Sequence, residues 1–275
     1  MGYKTLLLHV ENTPQSEARL RLACNLAMDL QANIIGVGGL MPAYMGVGGE
    51  SAGMYADGAL VQELSDIDKR EIAKAEKTFH QLTSALAGKA SWRVGEGYPD
   101  QAIQACAAGA DLIVASPTHG PYSTTIDAGR MALTCGIPVL TLPTELTALR
   151  NKSVLVAWKN TRESRRAVTD ALPLLSAAHE VIIVEVTGSD TPSDTSASLS
   201  NVVDRLKHHS VTAERHIIRD TAGDVAERIL DYAENCGADL IVAGAYGHSR
   251  LREWSFGGMT RGLLSQSRLP VLFSH

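Results

Sequence analysis

Short apolar runs alternate along this chain with longer stretches whose apolar residues recur every three to four positions, and the whole alternation occurs twice. Residues 5–10 form the first apolar run. In residues 16–30 the apolar positions Leu22, Ala23, Leu26, Ala27 and Leu30 lie on one helical face. The second half starts the same way, with a strand predicted over residues 153–158 and a helix over 163–175. Further strands are predicted at 33–37 and 180–186, and at 90–94 and 213–218. Helices are predicted at 65–86 and 197–209. Ile34 and Ile182 align without a gap from the start of each half, as expected for a duplication.

The duplication is most explicit in the hexapeptide Ala-Asp-Leu-Ile-Val-Ala, at residues 110–115 and again at 238–243. Each copy follows a helix that opens after a Gly-containing turn (Gly97 to Asp100, and Gly223-Asp224) and stops at Gly109 or Gly237. An almost wholly apolar run after the Asp predicts a central strand buried on both faces. A helix and a proline-opened strand, Ile-Pro-Val-Leu at 137–140 and Leu-Pro-Val-Leu at 269–272, close each half. Proline at the start of a strand suits an edge, and two apolar edges can cover one another by pairing within the chain.

Five strands alternating with four helices per half predict an α/β fold of two tandem, doubly wound parallel five-stranded sheets, Rossmann-like and paired through their edge strands. The expected domains are 1–143 and 152–275, with a short polar linker over residues 143–152.

Composition narrows the function. No stretch of about 18 apolar residues exists, so no membrane span is predicted, and the N-terminal run is too short for a signal peptide. A net charge of −5 argues against nucleic acid as a partner. The four cysteines include no C-x-x-C pair, which argues against a zinc ribbon or a disulfide framework and makes the cytoplasm the default compartment. Cys24, Cys106, Cys135 and Cys236 read as small apolar residues.

Chemistry is concentrated after the second hexapeptide. Ligands of open parallel sheets bind beyond the carboxyl ends of the strands, where the strand order reverses. Gly244 and Gly247 leave the fourth strand at that edge. Gly257-Gly258 then opens the helix at 259–264. Glycines let backbone N–H groups approach a ligand, and a helix N-terminus offers free donors to an anion. His248, Arg250 and Arg252 lie between the two clusters, and Thr260 follows them.

The spacing Gly244-x2-Gly247-x9-Gly257 resembles the nucleotide loop of the universal stress protein family, usually G-x-x-G-x9-G-[S/T]. The resemblance extends over nearly the whole chain as a tandem pair of such domains. It implies binding of an adenine nucleotide, ATP with or without Mg, in the second half. Gly244, Gly247, Gly257, Gly258, Met259 and Thr260 would form the phosphate loop, with His248 adding charge beside it, and Val186 would pack near adenine. Lys159 stands where the family usually has Asp, and an amine cannot accept hydrogen bonds from ribose as a carboxylate does. Gly258 replaces a Ser or Thr. The first half has Ser116-Pro-Thr-His119 in place of the paired glycines, and Pro117 deletes an N–H donor. Either Gly129 or Thr125 would be the equivalent of Gly257, so the first site is expected to be empty or specific for something else.

The implied role is a stress-response sensor or regulator with at most slow ATP hydrolysis or self-phosphorylation, since no positioned general base or Walker-type Lys-Ser/Thr pair is present. A small-molecule carrier independent of nucleotide, and an interaction module using the Gly- and Met-rich residues 41–59, are the alternatives. The sequence leaves open a homodimer and the protein partner. A Ser116–His119–Asp127 triad lacks a G-x-S-x-G elbow. His208, His209 and His216 read as a solvated helix end and its neighbour, with no metal implied.

Overall fold

A computed structural model describes residues 2–40, 58–117, 126–188, 193–219, 224–247 and 258–275. The chain divides into two compact units, one containing Tyr3–Ser116 and the other running from Ala128 to His275.

In the first unit, strands β1 (Thr5–His9), β2 (Asn33–Leu40), β3 (Ala90–Glu96) and β4 (Leu112–Ala115) alternate with helices α1 (Pro14–Leu30), α2 (Gly58–Thr83) and α3 (Pro99–Ala107). The sheet order is β3-β2-β1-β4, parallel throughout. Order therefore reverses between β1 and β4, the switch at which ligands bind in such sheets. Leu6, Leu7 and Leu8 are fully buried although their side chains alternate between faces, so β1 is covered on both sides. Each such side chain contributes about 1.5–3 kcal/mol.

The second unit opens with α4 (Ala128–Thr134) and β5 (Val139–Thr141). It continues through β6 (Ser153–Ala157), α5 (Arg162–Leu175), β7 (Glu180–Thr187), α6 (Ser193–His208), β8 (Glu214–Arg219), α7 (Val225–Asn235), β9 (Leu240–Gly244), α8 (Gly258–Gln266) and β10 (Val271–Ser274). Its order is β5-β10-β9-β6-β7-β8. All neighbours are parallel except β5 and β10, which pair antiparallel, Leu140 opposite Leu272. The two proline-opened strands thus cover each other's apolar edges, as their sequences predict. The last helix and strand of the first repeat are packed within the second unit, because β5 finds its partner there.

The repeated hexapeptide has a physical cause. Asp111 Oδ2 accepts hydrogen bonds from the backbone N–H groups of Lys4 (2.7 Å) and Thr5 (2.9 Å). Asp239 Oδ2 accepts from Lys152 and Ser153, both at 3.2 Å. In each half the Asp backbone N–H also donates to the first residue of strand one, Thr5 or Ser153. The Asp therefore fastens strand four to strand one and sets their register, while the four apolar residues after it are buried.

One alignment differs from the sequence reading. Leu6 pairs with Ile34, whereas Val154, the equivalent of Leu6, pairs with Val181. Ile34 therefore corresponds to Val181 and not to Ile182. The connection between the first two strands is one residue shorter in the second half. By the same shift, Val186 corresponds to Gly39.

The conserved geometry of the Asp predicts its energetic role. Asp111→Ala and Asp239→Ala should each lower unfolding stability by about 1–2 kcal/mol, the range for charge-assisted hydrogen bonds at a solvent-accessible position. Chemical denaturation of each variant checks this. Unchanged midpoints would show that the apolar pairing alone sets the register.

Candidate functional site

The junction between strand four and helix one shapes the site in each half. In the second unit Ala157 is registered with Ala243, so the carboxyl ends of β6 and β9 lie side by side at the switch in strand order. Trp158 and Lys159 continue from β6. Thr161 caps α5 by accepting from the Ser164 N–H, and Ser164 Oγ accepts from the Lys159 N–H at 3.3 Å. The short turn from β6 into α5 is thereby fixed by two hydroxyls.

Gly244, at the end of β9, presses on this turn. A Cβ there would lie 2.7 Å from both the Glu163 carbonyl carbon and the Ser164 nitrogen. Glycine is required at this position by protein packing itself. Gly247 is different, for among the described residues an added Cβ would meet only Glu163 Oε2, at 3.7 Å. Gly258, the first residue of α8, is exposed, and a Cβ there would meet nothing within 4 Å among the described residues. Among the described loop residues the left-handed conformation falls on Tyr246 (φ 51°), not on a glycine. Its N–H donates to Thr260 Oγ1 (3.2 Å), and Thr260 is buried in the first turn of α8. The hydroxyl of Thr260 therefore ties the loop after β9 to the helix that follows. Met259 is half-buried beside it. His248 and Gly257, with Arg250, Arg252 and Trp254, lie outside the described residues.

Two buried carboxylates border the site. Glu163, in the first turn of α5, is 1% exposed, and Arg162 Nε lies 3.2 Å from its Oε1. Arg162 also reaches the His275 ring at 3.1 Å, whose Nδ1 donates to the Ala245 carbonyl at 2.9 Å. Glu185, near the end of β7, is buried, and its Oε2 has no hydrogen-bond partner among the described residues. Burial pushes its carboxyl above the usual range, and the Lys159 ammonium partly reverses this. Lys159 itself is exposed. Val186 follows Glu185 on β7, half-buried and registered with Ile218. The structure thus gathers Lys159, Val186, Gly244, Gly247, Gly258, Met259 and Thr260 onto elements meeting at one sheet edge. It adds Glu163, Glu185, Arg162 and His275, which sequence reasoning missed. The signal for Glu185 was present as a lone charge inside the apolar run of residues 181–186.

The first half solves the same junction with other residues. Ser116 occupies the position of Gly244, and Arg19 on α1 that of Ala167 on α5. Arg19, 4% exposed, donates to Ser116 Oγ (2.6 Å), to the His9 carbonyl (2.9 Å) and to Ser16 Oγ (3.2 Å). A guanidinium thus fastens strand four to helix one where the second half uses direct backbone contact. Ser116 is engaged as an acceptor, and His119 lies outside the described residues. Gly129 is the second residue of α4, buried within the helix, and Thr125 lies outside the described residues.

The remaining candidates are structural. Trp158 is buried, its Nε1 donating to Ser198 Oγ at 2.9 Å. His216 stacks on Tyr232 at 4.6 Å. Cys24 and Cys106 are buried and Cys135 and Cys236 half-buried, all free. Among the described residues no group of three His, Cys, Asp or Glu is placed to hold a metal. No described helix is long and apolar enough to cross a membrane.

The model of the universal stress protein family matches residues 150–275. The stress response protein NhaX of Bacillus subtilis is 40% identical over 50 residues, 18% of this chain and 30% of that protein. Universal stress protein Slr1230 of Synechocystis sp. is 40% identical over 50 residues, 18% of this chain and 17% of that protein. The matched stretch therefore spans less than a third of either relative. The crystal structure of a universal stress protein from Archaeoglobus fulgidus superposes with a TM-score of 0.70, covering 98% of this chain and 95% of that one. At 18% identity that likeness shows the fold. Residues 150–275 thus resemble the universal stress protein family in sequence, and the chain shares that family's fold.

Proposed function

We propose that the second half binds an adenine nucleotide, ATP, and that the chain acts as a nucleotide-responsive sensor or regulator in a stress response. The observation that carries this reading is the contrast between Gly244 and Gly247. Gly244 is consumed by packing, which fixes the start of the loop, while a Cβ on Gly247 would meet only the Glu163 carboxylate, at an ordinary 3.7 Å, among the described residues. Such a glycine serves backbone approach to a ligand.

The residues present fit the group. Gly247 and the first turn of α8 offer backbone donors to phosphate, and a helix N-terminus favours an anion. Lys159 supplies a cation at the same edge. Glu185 accepts hydrogen bonds in place of the family's usual Asp, from the neighbouring strand. Val186 offers an apolar surface to the base. When bound, the nucleotide brings a transferable phosphoryl group, with Mg2+ as its counter-ion. The chain's own part is binding and orientation, because Glu163 is sequestered with Arg162 and no described side chain stands as an evident general base. Residues 1–143 and 152–275 then form a tandem pair in which the second member carries the nucleotide.

Titration calorimetry of the nucleotide-free chain and two variants tests this. Gly247→Val should weaken Mg·ATP binding by about tenfold or more, a loss of about 1.4 kcal/mol or more, with little change in stability. Gly244→Ala should lower stability by about 1–3 kcal/mol, as overpacking does, because the first turn of α5 must move. Unchanged affinity in a folded Gly247→Val variant would remove the loop from the site. It would also favour the carrier reading, for which the amine of Lys159 is the supporting observation.

A pH dependence follows from Glu185. Its folded carboxyl titrates above its unfolded value, so the native state holds the extra proton. The associated stability is present below the unfolded value and is lost as pH rises through the folded one. Glu185→Gln should therefore gain stability relative to wild type as pH rises above about 4. The difference should shrink below that pH. A difference independent of pH, in denaturation across this range, would show that Glu185 is not desolvated.

A further inference from the structure

The first unit contains a cavity of about 280 Å3 at the carboxyl ends of β1 and β2, closed on one side by α2. Its walls include His9, Glu11, Gly39, Asp68 and Glu71. Gly39 stands at the position of Val186, so the missing side chain helps to open this space. Glu11 stands at the position of Lys159, so the charge at the end of strand one is inverted between the halves.

The polar groups facing the cavity divide into those already engaged and those that are not. Glu71 accepts from Asn12 Nδ2 (2.6 Å) and from Lys74 Nζ (2.7 Å). Glu11 lies 3.0 Å from His9 Nδ1, and the buried Arg19 guanidinium is close enough to interact with it. Asp68 on α2 has no hydrogen bond or ion pair among the described residues. Burial holds its carboxyl above the usual range. His9 is 4% exposed, and its Nε2 makes no hydrogen bond among the described residues. An added Cβ on Gly39 would stand 3.5 Å from that Nε2.

The tautomer follows from the carboxylate. In the neutral imidazole, donation from His9 Nδ1 to the Glu11 carboxylate leaves Nε2 as an acceptor. The free polar groups of the cavity are then an uncompensated carboxylate and a buried imidazole acceptor. A ligand complementary to both carries a positive charge and N–H donors. An anionic phosphate would meet three carboxylates instead.

We propose that this cavity is a binding site for a small organic cation, an ammonium or guanidinium compound, with Asp68 holding its charge and His9 Nε2 accepting one of its N–H groups. The site is independent of the nucleotide reading for the second half, and the two can fail separately.

The full chain, free of nucleotide, is titrated with 1,4-diaminobutane and with 1-butanol as a neutral probe of similar shape. Calorimetry gives the affinity, and the His9 imidazole resonances locate it. The diamine should bind saturably and shift His9, and 1-butanol should do neither. Asp68→Asn keeps the side-chain shape on a half-exposed helix face, and it should weaken diamine binding by about tenfold or more. Gly39→Val, which places a side chain against Nε2, should abolish the His9 shift. Absence of saturable diamine binding to the wild type would overturn the proposal. So would equal affinity in Asp68→Asn, or a His9 shift caused by Mg·ATP and not by the diamine.

Discussion

The close fit between the end of the fourth strand and the first turn of the first helix governs each half of this molecule. Parallel sheets with a reversal in strand order place those two elements at the ligand edge. Space there is short, because helix and strand backbones approach within van der Waals range. In the second half the conflict is removed by deleting a side chain at Gly244. In the first half Ser116 stands at that position, and a buried guanidinium, Arg19, donates to its Oγ and to the His9 carbonyl. The two solutions leave different surfaces above them. One presents a loop with an open glycine, Gly247. The other presents a cavity walled by carboxylates and a histidine.

This view changes what the glycine pattern means. Spacing alone treats Gly244 and Gly247 as equivalent members of a phosphate loop. The structure separates them, since Gly244 serves the scaffold and Gly247 does not. It also puts the left-handed turn on Tyr246 and secures it through Thr260. A hydroxyl read from sequence as a ligand group thus serves first to shape the loop. Charge follows the same logic. Lys159 stands where a carboxylate is usual, but Glu185 supplies a buried carboxylate from the adjacent strand, and the Lys159 ammonium partly offsets the effect of burial on it.

Most of the architecture was legible because it rests on periodicity and repetition. Buried strands such as Leu112–Ala115 are apolar on both faces, and that pattern survives without knowledge of partners. The edge pairing of β5 with β10 was legible because proline and exposed apolar residues together require a cover. The register between the first and second strands was not, because a one-residue difference in a connecting turn leaves no mark on composition. Arg19 and Glu163 were also beyond reach, since a charged residue on a helix reads as solvated until its neighbours are known. Glu185 was within reach, as a carboxylate in an apolar strand demands a reason.

The central proposal is that one duplicated scaffold carries two chemically distinct edges, with nucleotide binding confined to the second. Amide hydrogen exchange of the intact chain with and without Mg·ATP measures this directly. The account predicts slowed exchange at Ala245 to Gly247, in the first turns of α5 and α8, and at the end of β7. It predicts no change around His9 to Thr13 or in α2. Protection of both halves, or of the first alone, would contradict it.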